Sequence, residues 1–373
     1  MTRIYLIRHA EAEGNLYRIV QGQDNSNLTD RGWQQVKALE KRFADIHIDA
    51  LYTSDLYRTC ATASAIYKPK GLEVHRCKDL REICVGDWER QTWGDIARTQ
   101  PHEMMQFCKQ LHLWRMNGAE TAQQVLDRMR RAVLAIAAEN DGKTIAIVSH
   151  GDAIRFLMAQ AQGLPLSRAD EVPIGQNTAV NLLEYEDGKL RVIFQGDTAH
   201  LETPEYLSAC KPRRKSDPLE PGLWFRSPEG AEEKAALVSL VGEAWAESGM
   251  TSAFKEETLL ADIPRRPTLL GRNTRGEIVG LVQLGPEAGW ISLALIRRDC
   301  RRRGFGVQLI GQAVQWTRAR GGEALYIALA AGSAAAEFFR EYGFFPTKET
   351  TPDGRRVYTK DIRFDPEILA LGL

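Results

Sequence analysis

Neither sign of charge is in excess in this chain: lysine plus arginine and aspartate plus glutamate each number 49. A generic nucleic-acid or membrane-surface binder would carry a marked basic surplus. Both are excluded as first readings, and any attraction for anions must come from local clusters. Cysteine is sparse. Cys60, Cys77, Cys84, Cys108, Cys210 and Cys300 include no C-x-x-C pair, and none sits beside histidines at zinc-ligand spacing. That predicts free thiols in a reducing compartment and no bound metal. Long apolar runs are lacking too: no stretch approaches the ~20 residues of a membrane span. Met1-Thr2-Arg3-Ile4-Tyr5-Leu6 turns charged too early for a secretory signal. The expectation is a cytoplasmic protein.

What is present suffices for two domains. The chain has 373 residues, 43% hydrophobic and 26% charged, an ordinary globular balance at about twice a typical domain length. Residues 3–7 form a short apolar run ending at Arg8-His9, and Thr144 to Val148 form another ending at Ser149-His150-Gly151. Such runs read as buried strands. Helical patterns over Gly32–Ala44 and Thr121–Ala138 alternate with them, and strands are expected again at Ala179–Tyr185 and Arg191–Gly196. Alternation of this kind predicts a three-layer α/β domain with a mostly parallel sheet, whose ligands gather at the carboxyl ends of the strands. Both histidines fall there.

From about His200 to Gly230 prolines recur (Pro204, Pro212, Pro218, Pro221, Pro228), and Lys211-Pro212-Arg213-Arg214-Lys215 is a basic run. This stretch reads as a solvated linker, giving domains at 1–200 and 231–373 with 201–230 between them. The second pattern begins with a helix near Glu232–Glu247. Strands follow at Thr268–Arg272, Glu277–Leu284 and Gly289–Ile296, with Gly276 in a hairpin turn. A helix at Gly304–Arg320, a strand at Ala324–Leu329, a helix at Ala334–Tyr342 and terminal strands complete an α+β domain.

A phosphate monoester resists hydrolysis because its leaving oxygen departs badly and its phosphoryl oxygens repel nucleophiles. A site that cleaves one needs cations for those oxygens, an in-line nucleophile and an acid for the leaving group. Neutral imidazole serves as nucleophile near pH 7, since its ordinary pKa is about 6.5. The sequence supplies each part. Arg8-His9 ends a strand, with Asn15 and Gln21-Gly22 at short range. Ser54-Asp55-Leu56-Tyr57-Arg58 brings a second arginine to a helix start, where the helix dipole adds to its charge. Leu80-Arg81-Glu82 offers a carboxylate, and Ser149-His150-Gly151 the second histidine. Glu120-Thr121 reads as a helix opening.

In order and spacing, these segments across residues 1–200 resemble the histidine phosphatase superfamily, its phosphoglycerate-mutase-like branch. The family's R-H-G is here Arg8-His9-Ala10, a small-for-small change. The resemblance implies that His9 accepts the phosphoryl group, that Arg8, Arg58 and His150 form the phosphate pocket, and that Glu82 is the general acid. Asn15, Gln21 and Gly22 match substrate-contacting positions. Glu82 must be protonated to act, so a raised pKa is expected. His150 is expected to help most when charged. The segment of about 30 residues between Gly86 and Gly118, rich in aromatics (Trp88, Trp93, Phe107, Trp114), would cap the site and choose the substrate. Family mutases carry a longer, more basic insert there, so a metal-independent phosphatase acting on a small phosphomonoester is favoured over a mutase.

In the second half, Arg301-Arg302-Arg303-Gly304-Phe305-Gly306 follows the strand ending at Ile296 and opens a helix. Glycines there let backbone N–H groups approach an anion while the dipole and arginines add positive charge. Residues of about 232–365 resemble the GNAT superfamily of N-acetyltransferases. Arg301-x-x-Gly304-x-Gly306 is similar to its acyl-CoA pyrophosphate loop, which with Ile296, Arg302, Arg303 and Phe305 forms the expected cofactor site. Phe338-Phe339-Arg340-Glu341-Tyr342-Gly343-Phe344 is similar to its late helix-to-strand segment. The resemblance implies acetyl-CoA as ligand or co-substrate and an amine as acyl acceptor. Two positions depart: Phe339 stands where many members have a proton-donating tyrosine, and Gly332 where an asparagine is frequent. A regulatory module that senses acetyl-CoA without catalysis is the alternative for this half.

Overall fold

A computed structural model describes residues 1–208, 222–247 and 255–371. Cys210 and the basic run at 211–215 lie outside the described residues. The first half runs β1 (Thr2–Arg8), α1 (Glu13–Tyr17), α2 (Asp30–Phe43), β2 (Ala50–Thr53), α3 (Tyr57–Lys70), β3 (Val74–Arg76), α4 (Trp93–Thr99), α5 (Pro101–Lys109), α6 (Ala122–Glu139), β4 (Thr144–Ser149), α7 (Gly151–Ala161), β5 (Val180–Glu186) and β6 (Lys189–Asp197). Its six-stranded sheet has the order β3-β2-β4-β1-β5-β6. The first four strands are parallel, and β5 and β6 are antiparallel additions.

Alternate side chains of the central strands feed two cores, as a pleated strand buried on both faces requires. Ile4 and Leu6 of β1 and Ile145 and Ile147 of β4 pack with α6 and α7 through Met129, Val133 and Leu157. Ile7 and Val148 face α2 and α3 through Leu39, Phe43 and Ile66. The helices start where capping residues fix them. The Thr29 hydroxyl accepts the Gly32 N–H at 2.9 Å at the head of α2. Thr121 and Gln124 make reciprocal bonds at the head of α6.

The second half continues with β7 (Trp224–Arg226), α8 (Gly230–Glu247), α9 (Glu256–Asp262), β8 (Thr268–Arg272), β9 (Ile278–Leu284), β10 (Trp290–Ile296), α10 (Gly306–Arg318), β11 (Ala324–Leu329), α11 (Ala334–Glu341), β12 (Phe345–Thr350), β13 (Arg356–Asp361) and α12 (Pro366–Leu369). The seven-stranded sheet has the order β12-β13-β11-β10-β9-β8-β7. All its pairs are antiparallel except β10 with β11. Gly276, at φ 80°, turns the chain between β8 and β9, as expected. β7 lies inside the stretch read as linker and pairs with β8. Three residues are too few to show an alternating pattern.

The halves touch at several elements, α4 against β7 among them. α1 packs on α10, with Tyr17 sharing a core with Ile310 and Val314. After β13 the chain returns to the first half, where Phe364 meets Tyr57 edge-on at 4.8 Å. Ile368, 0% exposed, completes the core beneath α2 and α3. Among the described residues no helix is long and apolar enough to cross a membrane.

Candidate active site

Register brings the site residues together. Arg8 of β1 stands beside Ser149 of β4, and Thr53 of β2 beside Val148. The next residues, His9, His150 and Ser54, therefore emerge side by side at the carboxyl edge. The two imidazoles lie 5.3 Å apart between centroids. Nδ1 of His9 is 2.7 Å from the carbonyl oxygen of Ala10. A carbonyl only accepts, so Nδ1 carries the proton and Nε2 holds the lone pair. Ala10 is fully buried in the α2–α3 core and donates its N–H to Thr62, so the methyl that replaces the family glycine is accommodated. Asn177, which sequence reading did not single out, donates to the His9 carbonyl at 3.0 Å.

His150 differs from its expected state. Burial, then the charges of Arg58 and the other nearby cations, push its pKa well below the ordinary histidine range, so the ring is neutral at neutral pH. The Ser54 hydroxyl accepts the Leu56 N–H and lies 2.9 Å from Nε2 of His150. In the tautomer where the Ser54 hydrogen points at Nε2, the ring proton sits on Nδ1. That Nδ1 is buried without a protein partner, a donor available to a bound anion without a net charge on the ring.

Arg58, 1% exposed at the head of α3, donates to the carbonyls of Gly22 and Asp24 at 2.8 and 2.9 Å. Burial lowers its pKa to about 10, so it stays cationic at neutral pH. Gly22 is held at φ 50°, and a Cβ there would come within 2.5 Å of Glu89. Arg8 donates to the Gly175 carbonyl at 2.6 Å. Asn15 accepts the Ala12 N–H at 3.0 Å and so starts α1. The stem of Gln21 lies over Gly14, where a Cβ would meet it at 2.2 Å.

Glu82 sits over the start of α7, where its carboxylate accepts the N–H groups of Ile83, Asp152 and Ala153 at 3.0–3.2 Å. Beside it stands Asp152, missed in the sequence: burial, then Glu82, push its pKa up to about 6. Arg128 was missed as well. Its guanidinium grips the Glu120 carboxylate and the carbonyls of Asp79, Arg81 and Glu82 at 2.6–2.9 Å. An arginine among Leu126, Met129 and Val133 on the apolar face of α6 was the available signal. Glu120 does precede the α6 cap, but its carboxylate turns inward to Arg128. The cap aromatics also depart from expectation. Trp88 and Trp114 are fully buried and pack on one another at 5.1 Å, with Trp93 and Phe107 around them, so they form the core of the cap. A substrate wall must come from other side chains.

In the second half β10 and β11 pair only at Trp290–Tyr326 and Ile291–Ile327, and the ladder ends there. The loop after β10 has Arg302 at φ 61° and Gly304 at φ 81°, and α10 begins at Gly306. Residues 301–304 are exposed, whereas Phe305 is buried. Arg301 donates to the Ile296 carbonyl at 3.0 Å and pairs with Glu247 at 2.7 Å. A Cβ on Gly306 would strike the Phe338 ring at 2.9 Å. Phe339 is 3% exposed and packs on Phe344 at 4.9 Å. Among the described residues no three or more His, Cys, Asp or Glu side chains gather as a metal site.

Residues 4–198 match the family model of the histidine phosphatase superfamily (branch 1), and residues 235–344 that of the GNAT acetyltransferase family. A curated relative, the probable phosphoglycerate mutase GpmB of Salmonella typhi, is 29% identical over 209 residues, 55% of this chain and 97% of that protein. The solved structure of Bacillus stearothermophilus YhfR is 33% identical, with a TM-score of 0.53 over 54% of this chain and 100% of its own. Mycobacterial hydrolase 1 shares the fold at 24% identity, with a TM-score of 0.50 over 52% of this chain and 98% of its own. The chain belongs to the histidine phosphatase superfamily, branch 1, and carries a GNAT-family domain behind its phosphatase-like half.

Proposed function

We propose that residues 1–200 hydrolyse a small phosphomonoester through a phosphohistidine on His9, and that residues 231–373, joined to them by 201–230, bind acetyl-CoA. The His9–Ala10 hydrogen bond carries the first reading, because it presents the lone pair of Nε2 to the substrate side. Nε2 attacks phosphorus, the P–O bond breaks, and the leaving oxygen takes a proton from Glu82. Water then attacks phosphorus, the P–N bond breaks, and Glu82 recovers the proton from that water. Arg8 and Arg58 neutralise the phosphoryl oxygens, and the Nδ1–H of His150 donates to one of them. Asn15, Gln21 and Gly22 border the substrate.

Phosphoglycerate mutase activity is the second reading, favoured by the name of the GpmB relatives. Incubation with 3-phosphoglycerate separates the two: release of inorganic phosphate supports hydrolysis, and isomerisation without release supports the mutase. Rapid acid-free quenching with a labelled phosphomonoester should trap an acid-labile, base-stable phosphoenzyme that His9→Ala lacks. Absence of that species in a turning-over wild type would overturn the mechanism.

For the second half, the exposed turn at 301–304 and the helix start at Gly306 support acyl-CoA pyrophosphate binding. Acetylation of an amine needs a proton donor for the departing thiolate, and Phe339 supplies none. A domain that binds acetyl-CoA and transfers slowly or not at all fits these residues best.

A further inference from the structure

α1 has five residues, far fewer than a helix needs to persist on its own, yet it begins four residues after His9 and carries Asn15. Its support comes from the second half. The Glu13 side chain is 7% exposed and accepts two hydrogen bonds from the Arg318 guanidinium, at 2.7 and 3.1 Å. Glu13 also exchanges bonds with the backbone of Asn27, at 2.9 and 3.1 Å. Arg318 donates as well to the Ile362 carbonyl at 2.6 Å, and the Asn27 amide reaches that carbonyl at 3.2 Å. The ring of contacts is thus closed across both halves. One turn along, Tyr17 lies against Gly311 of α10, where a Cβ would meet its own Cβ at 2.5 Å. Gln21 rests on Gly14 of the same helix.

The head of α3 is held likewise. Tyr57, next to Arg58, accepts the Asp365 N–H at 3.0 Å and packs on Phe364. Both segments that bring substrate-side groups to His9 therefore lean on the second half.

We infer that Arg318 is a positioning residue of the phosphatase: through Glu13 it sets α1, and with it Asn15 and Gln21, against the substrate held at His9. The inference rests on the phosphatase reading above. A buried carboxylate that loses its cation must move toward water or take up a proton. Either response shifts α1 while leaving His9, His150 and Glu82 in place.

The test uses the full chain and an aryl phosphate. Arg318→Ala should raise KM about tenfold, the loss expected for one misplaced charge-assisted hydrogen bond, with kcat within about threefold. Arg318→Lys, which keeps the charge but not the fork, should recover part of the KM. Glu13→Gln should mimic Arg318→Ala, and the double variant should be no worse than either alone. An unmoved KM in folded Arg318→Ala overturns the inference, as does a fall in kcat alone. Should Arg318→Ala fail to fold, unmoved KM values in both Arg318→Lys and Glu13→Gln overturn it equally. A wild type whose turnover survives His9→Ala would overturn the phosphatase reading instead.

Discussion

Glu82 accepts the backbone N–H of Asp152 at 3.2 Å, which places two carboxyl side chains at the first turn of α7. One is held by three N–H groups, and the other is pushed toward neutrality by burial. The two carboxyls thus sit in different surroundings, and substituting Glu82, the proposed acid, and Asp152 tests two separate expectations.

Replacement of His9 by alanine should reduce aryl phosphate turnover by at least ~10³-fold, since water then lacks a positioned relay. Dialysis against EDTA should leave wild-type turnover intact. Retention of much of the wild-type kcat by His9→Ala removes the nucleophile assignment, and EDTA loss reversed by a divalent ion removes the metal-free chemistry.

Glu82→Gln should slow alkyl phosphates about 10²-fold or more while sparing aryl phosphates, whose leaving oxygen scarcely needs a proton. A series of substrates of graded leaving-group pKa reads this directly. A parallel drop across the series would make Glu82 a structural support of α7.

Asp152 links stability to pH. Its folded pKa, about 6, lies above the ordinary 3.8, so the folded state holds a proton that the unfolded chain has already released. Stability from this group is therefore greatest at low pH and declines as pH rises through the window between those values. Asp152→Asn removes that decline. Urea unfolding at pH 4, 5, 6 and 7 should show the variant gaining up to about 3 kcal/mol on the wild type across the series. A difference that does not change with pH would show that the carboxyl ionises normally.

Titration calorimetry on the full chain should detect acetyl-CoA binding to the wild type and a loss of at least ~10-fold in Gly304→Asp. The site is open, with nothing within 4 Å of a Cβ, and aspartate tolerates the φ of 81° better than most residues. The new carboxylate acts mainly by repelling the pyrophosphate. Phe339→Tyr should not speed acetyl transfer, because the ring is buried among Phe338 and Phe344. Equal binding by wild type and Gly304→Asp, or binding by neither, removes the cofactor assignment.

Features that depend on short stretches were legible in the sequence. β8 and β11 have the expected bounds, and β1 and β4 deliver His9 and His150 to one edge because their apolar runs stop there. Features that depend on distant partners were not. Nothing local in Arg128 says that it reaches the carbonyls of Asp79, Arg81 and Glu82, which lie more than forty residues earlier. The aromatics at Trp88 and Trp114 have the composition of a binding wall and the packing of a core, a difference set by neighbours from α4 and α5. The state of His150 likewise depends on burial and on Ser54, which arrives from another strand. The return of Phe364 and Ile368 to the first half carries no periodic signal at all.

That return imposes an order on synthesis. The groove beneath α2 and α3 is filled by Ile368, so a nascent first half must hold an open apolar groove until residues 364–368 leave the ribosome. Domains generally fold as units from the N-terminus during synthesis; here the first domain is finished by residues made after every strand of the second sheet. A message cut short within the second half would yield a phosphatase-like body with its groove exposed, a surface that chaperones and proteases act on.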